Sequence, residues 1–155
     1  MLRFVIDASV AVKWFIPEPE SEKAEILLAK FRRGEIDLAA PDVVVGEVGN
    51  TLWKRSARGD IAVDDAAQSY ADLLKIAITI QSSSALALRA FKLASDLAHP
   101  LYDTLYIALA ESLNCELVTA DEALIKKLRA KFPLLRALKT IAEPLQPVLP
   151  LAGTP

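Results

Sequence analysis

The sequence predicts an α/β domain, a three-layer α/β/α sandwich whose central parallel sheet is covered by helices on both faces. Three observations carry this. Short apolar runs of strand length alternate along the chain with longer segments at helical spacing, the pattern of successive βαβ units. Ala (25) and Leu (24) supply nearly a third of the 155 residues while Gly is only 5, a bias toward helix. Apolar residues make up 53% and charged residues 25%, which suits one buried core and excludes a disordered chain.

Leu2 to Ile6 is an apolar run ending abruptly at Asp7 and reads as a buried strand. Ser9 to Phe15 predicts a short helix, stopped by Ile16-Pro17. Glu20 to Arg33 carries apolar residues at helical spacing, with Gly34 as its C-cap. Ile36 to Ala40 is the second strand. Pro41 suits the first turn of the next helix, which runs to about Arg58 and ends at Gly59. Asp64 to Leu74 is helical, and Ile76 to Ile80 follows as a third strand. Ser84 to Ala98 and Tyr102 to Leu113 are helices separated by His99-Pro100, with Asn114 ending the second. Glu116 to Thr119 is the fourth strand, Asp121 to Phe132 its helix, and Arg136 to Thr140 an edge strand. Residues 1–142 thus form one domain. Residues 143–155 hold four of the nine prolines and no helical period, and read as an extended tail.

Composition narrows the chemistry. Lys plus Arg (18) against Asp plus Glu (20) gives a net charge of −2, which excludes a strongly basic nucleic-acid coat but not a local basic groove. One Cys and one His exclude an intramolecular disulfide and a Cys-rich zinc site, and argue against a His-based metal centre or a Ser-His-Asp triad. Asp7 and Lys13 interrupt any secretory leader, and no apolar run approaches the roughly 18 residues of a membrane span. A cytoplasmic domain whose chemistry comes from carboxylates is expected.

Four acidic residues sit where a solvated helix face would not put them. Asp7 follows the first strand at its carboxyl end, where open parallel sheets place ligand sites, although an Asp there also suits an Asx turn or N-cap. Glu47 falls on the stripe of Val43, Val44, Val48 and Thr51, where a lone carboxylate is costly unless paired with Lys54 or Arg55 or bound to a cation. Asp103 opens a helix, as a capping residue would. Asp121 follows the fourth strand, and Thr119 with Glu122 also matches a capping box. Four carboxylates drawn together repel one another without a cation, and with oxygen donors alone Mg²⁺ or Mn²⁺ is the natural partner. A polyacidic site without histidine on an α/β sheet points to phosphodiester chemistry.

The segments Val5-Ile6-Asp7-Ala8-Ser9 with Val12-Lys13-Trp14-Phe15, Pro41-Asp42 with Glu47-Val48 and Asn50, Tyr102-Asp103 with Tyr106 to Ala110, and Leu117-Val118-Thr119-Ala120-Asp121 occur in this order. Together, from about Phe4 to Phe132, they resemble the PIN domain of VapC-type ribonuclease toxins. The resemblance implies an endoribonuclease using Mg²⁺ or Mn²⁺, with Asp7, Glu47, Asp103 and Asp121 as the acidic site and Ser9 and Thr119 as supporting hydroxyls. It further implies an RNA substrate, a homodimer, and an antitoxin partner that inserts a peptide segment into the acidic groove. Gly46 and Gly49 flank Glu47 where a helix prefers better formers, a departure from the resemblance that close approach by another helix or by a metal would explain.

Other residues read plainly. His99, before Pro100, is a C-terminal cap or turn residue, and Cys115 a small core residue. Trp14 and Phe15 serve core or dimer packing in preference to base stacking. Trp53, Lys54, Arg55 and Arg58 form a basic helix end that either guides RNA phosphates or is merely solvated. Two other classes stay open: a catalytically silent acidic-groove protein that binds a partner, and another small metal-dependent nuclease or phosphodiesterase.

Overall fold

Leu2–Ile6 (β1) is the centre of a five-stranded parallel sheet in the computed structural model, which describes residues 1–146. Successive strand residues point to opposite faces, and Phe4, Val5 and Ile6 are all fully buried, so both faces of β1 are covered. Ile36–Pro41 (β2) pairs along one side, Phe4 opposite Leu38, and Thr79–Gln81 (β3) lies outside it. Glu116–Thr119 (β4) pairs along the other side, Ile6 opposite Val118, with Leu135–Ala137 (β5) at that edge. The order β3-β2-β1-β4-β5 reverses between β1 and β4. A topological switch point therefore lies at their carboxyl ends.

The helices among the described residues are Ala8–Ala11 (α1), Ser21–Arg32 (α2), Val43–Ala57 (α3), Val63–Lys75 (α4), Ser83–Leu97 (α5), Leu101–Leu113 (α6) and Glu122–Leu128 (α7). Asp7, Asp42 and Asp121 stand at the N-caps of α1, α3 and α7, so three helices begin where a strand has just ended. Helix α6 is the central one. Thr104 to Ala110 are all buried, apolar round the whole circumference apart from Thr104 and the Tyr106 hydroxyl, and α6 packs on β1, β2, β4 and α5. The Thr104 hydroxyl is satisfied, donating to the Ala90 carbonyl at 2.8 Å.

Several boundaries differ from the sequence reading, each for a tertiary reason. The third strand is Thr79–Gln81, not Ile76 to Ile80, because α4 continues to Lys75 and the only partner on offer is the end of β2, Ala39 to Pro41. Pro41 is the last residue of β2 and not the first turn of α3. Helix α7 stops at Leu128, and Phe132 returns to the core through its N–H to the Leu128 carbonyl. The edge strand is Leu135–Ala137, and Leu138–Thr140 forms a 3-10 turn, since β4 ends at Thr119, the partner of Ala137. Ser9 to Phe15 divides into α1 and a 3-10 turn, Val12–Trp14, where the Trp14 indole donates to Ala24 of α2.

Cys115 is buried, and burial pushes its thiol up to about 11. Of the predicted tail, residues 143–146 lie against the domain. Glu143 meets Lys30 at 3.3 Å, Leu145 packs on the core, and the Gln146 carbonyl accepts from Arg136 at 2.8 Å. The rest of that tail, 147–155, lies outside the described residues. No helix among the described residues is long and apolar enough to cross a membrane.

Candidate active site

The switch point is tied shut by two hydroxyls and one carboxylate. Asp7, immediately after β1, accepts from Ser9 Oγ at 2.5 Å and from the Val10 N–H at 3.3 Å on Oδ1, and from Thr119 Oγ1 on Oδ2. Each hydroxyl has one proton to give, and both give it to Asp7. Their oxygens then accept from the turn after β4, Ser9 Oγ from the Ala120 N–H (2.9 Å) and Thr119 Oγ1 from the Asp121 N–H (3.1 Å). Thr119 is thus engaged with Asp7 and does not form the capping box its spacing with Glu122 suggested. Residues from opposite ends of the chain are locked together where the strand order reverses.

Asp7 is only 8% exposed. Burial pushes its carboxyl up to about 6 against the hydrogen bonds from Ser9, Thr119 and Val10, and the charge of Asp103 adds to the rise. Glu47, half-buried on α3, is also raised, by burial first and again by Asp103, with a hydrogen bond from Tyr106 opposing. Asp103 on α6 therefore acts on both Asp7, just after β1, and Glu47 on α3. Glu47 does not pair with Lys54 or Arg55. Arg55 reaches Glu18 at 2.5 Å, and Glu47 Oε1 accepts from the Tyr106 phenol at 2.8 Å. Burial and the Glu47 charge push that phenol far above its ordinary value.

Asp121 is exposed, and its Oδ1 caps α7 through the Leu124 N–H at 3.1 Å. Asp103 Oδ2 lies 2.6 Å from His99 Nε2. His99 is thus no simple cap or turn residue, and neither it nor Tyr106 was marked as a site residue by sequence reasoning. The signal for Tyr106 was its place one turn beyond Asp103 on the same helix.

Two open cavities flank Glu47. One of about 390 Å³ is lined by Ala8, Ser9, Val12, Glu18, Asn50 and Thr51, and another of about 410 Å³ by Val43, Gly46, Asn50 and Tyr102. A Cβ on Gly46 would meet nothing within 4 Å, whereas one on Gly49 would fall 2.7 Å from the Tyr70 ring. Gly49 is the close approach its position suggested: it lets α4 bring the Tyr70 hydroxyl to the Val45 carbonyl at 2.9 Å.

The donors around this groove are hard oxygens, and the rise that burial and Asp103 impose on both Asp7 and Glu47 is what a compensating cation would relieve, so the residues suit Mg²⁺ or Mn²⁺ by charge and donor type. Among the described residues no three acidic, His or Cys side chains already converge as an ion-holding group.

The PIN domain family model matches residues 4–130. Ribonuclease VapC3 of Pyrobaculum aerophilum is 32% identical over 131 residues, covering 83% of this chain and 97% of the relative. Ribonuclease VapC9 of Mycobacterium tuberculosis is 29% identical over 130 residues, covering 84% of this chain and 94% of the relative. Among solved structures, PAE2754 of Pyrobaculum aerophilum superposes with a TM-score of 0.67 at 23% identity, covering 90% of this chain and 85% of that one. VapBC2 of Rickettsia felis, bound to a promoter DNA fragment, gives 0.60 at 16% identity over 88% of this chain and 97% of that one. With its parallel sheet, its switch-point aspartate and a family match over most of its length, the chain belongs to the PIN domain family.

Proposed function

We propose that this protein is a divalent-metal-dependent endoribonuclease, the toxin of a type II toxin–antitoxin pair. The observation that carries the reading is the set of carboxylates at the switch point, Asp7, Glu47 and Asp103, the first two raised by burial and by the charge of the third. The curated relatives are named as ribonucleases, and a further structural neighbour, VapC20 of Mycobacterium tuberculosis (TM-score 0.57, 13% identity, covering 76% of this chain and 87% of that one), is described as a sarcin-ricin loop cleaving toxin.

In this reading Asp7, Glu47, Asp103 and Asp121 hold Mg²⁺ or Mn²⁺. When bound, such an ion activates water at neutral pH and stabilises charge on the phosphoryl oxygens. The chain's own residues do the rest. Ser9 and Thr119 fix the Asp7 carboxylate. Tyr106 holds one oxygen of Glu47, which lines both cavities and takes the proton of the water whose oxygen bonds to phosphorus, while the P–O bond in line with it breaks and the departing RNA oxygen is protonated from solvent. The protein acts in the cytoplasm as a homodimer, and its antitoxin inserts a peptide whose arginine meets the same carboxylates.

A second reading has one observation in its favour. The Asp121 carboxylate caps α7 through the Leu124 N–H, as in an acidic groove that only binds a partner. Cleavage of a structured RNA and of single-stranded DNA, with Mn²⁺ and with EDTA, separates the readings. Metal-dependent cutting of RNA, lost in Asp7→Asn and Asp103→Asn variants that stay folded, is expected. Folded wild type that neither cuts nor binds Mn²⁺ would leave the partner-binding groove, and cutting of DNA alone would reassign the substrate.

A further inference from the structure

Asp103 faces two other carboxylates and is about a third exposed, its side chain at 35%. Like charges should turn such a side chain outward to water. What holds it is the chain's one histidine. His99 occupies the link between α5 and α6, where Ala98 in the left-handed region (φ 49) reverses the backbone and Pro100 starts the next helix. The imidazole is 11% exposed, with Nε2 2.6 Å from Asp103 Oδ2.

The other ring nitrogen has a partner too. Lys127 Nζ, from α7, lies 3.0 Å from His99 Nδ1 and donates to the Ala98 carbonyl at 2.7 Å. A lysine ammonium only donates. His99 Nδ1 therefore accepts, and the ring proton belongs on Nε2, directed at Asp103. The three side chains form a directed series, Lys127 to His99 to Asp103, that joins α7, the α5–α6 link and α6.

We propose that His99 is a positioning residue for the reaction, holding Asp103 toward Asp7 and Glu47, and that Lys127 selects the His99 tautomer that does so. This rests on the ribonuclease reading. Hydrogen-bonded partners of ligating side chains orient them and typically carry ~10–100-fold in metal affinity.

The single histidine makes the test clean, because every imidazole nitrogen signal in a long-range ¹⁵N spectrum belongs to His99. The wild type should show the proton on Nε2, and Lys127→Met should lose that preference. Mn²⁺ titration of the folded proteins should give ~10–100-fold weaker binding in His99→Leu, with partial recovery in His99→Gln, whose amide can still donate to Asp103. On RNA, His99→Leu should lower kcat with KM nearly unchanged. A proton on Nδ1, or His99→Leu binding Mn²⁺ like wild type, would overturn the proposal. If His99→Leu fails to fold, the same Mn²⁺ comparison is made on His99→Gln and Lys127→Met, where wild-type affinity in both would equally overturn it. Wild type that neither binds Mn²⁺ nor cuts RNA would remove the ribonuclease reading itself, and this proposal with it; a competent wild type beside an indifferent His99→Leu removes only the positioning role.

Discussion

Asp7 concentrates the conflict between fold and charge. Buried and accepting three hydrogen bonds, its carboxyl is still pushed up to about 6 from an ordinary 3.8. A carboxyl raised in the folded state binds its proton more tightly folded than unfolded. At low pH both states are protonated and nothing is lost; as pH climbs, the unfolded chain ionises first and stability falls, with the full loss present above pH ~6, of order 2–3 kcal/mol. In metal-free buffer, Asp7→Asn should therefore stabilise the protein at pH 7 and have little effect near pH 4. Urea unfolding of both proteins at the two pH values checks this, and equal differences at both would remove the burial argument. At this scale the sequence was legible where a residue's oddness is local. Asp7 ends an apolar strand and Glu47 interrupts a valine stripe. Tyr106 and His99 were not legible as site residues, because an aromatic on an apolar helix and a histidine before proline have ordinary explanations until their partners, Glu47 and Asp103, are placed.

Helix α3 carries two glycines with opposite roles three residues apart. At Gly46 an added methyl meets open space beside the Glu47 cavity, so Gly46→Ala should stabilise the helix by up to about 1 kcal/mol. At Gly49 it meets the Tyr70 ring at 2.7 Å, and that ring is held by its hydrogen bond to Val45, so Gly49→Ala should cost about 1–2 kcal/mol despite the better helix former. Thermal melts of the two variants should move in opposite directions; the same sign in both would refute the close approach of α4. From sequence the two glycines look alike. Element type was legible throughout because apolar spacing separates helix from strand. Element ends were not, at β3, β5 and α7, because a strand continues only while a neighbour offers hydrogen bonds and a helix only while its face has a surface to cover. Ile76, Ile78 and Ile80 alternate like a strand, yet the strand begins at Thr79, opposite Ala39.

At the scale of the whole molecule, Glu116 on β4 and Arg136 on β5 form a buried ion pair across the sheet. They meet at 3.0 Å with side chains 2% and 7% exposed. Arg136 also donates to the Gln146 carbonyl and lies over the Phe4 ring, so one side chain joins the sheet edge, the core and the first residues of the tail. Arg136→Met should take the guanidinium away from the buried Glu116 carboxylate and destabilise the protein by up to about 3–5 kcal/mol, with much of that recovered when Glu116→Leu is added. Chemical denaturation of the single and double variants measures it, and a single variant within 0.5 kcal/mol of wild type would show that the pair is not coupled. Legible in the residues alone were the alternation of strands and helices, hence a parallel sheet, and the placing of Asp7 and Asp121 at strand ends. Those are consequences of local spacing and of which residues end an apolar run. Packing alone revealed which acids lie near one another and that Tyr106 and His99 hold Glu47 and Asp103, and it supplied the hydrogen bonds by which Ser9 and Thr119, expected as supporting hydroxyls, hold Asp7. Such contacts depend on strand order and helix docking, and these are settled by burial across the whole core, not by any segment read alone.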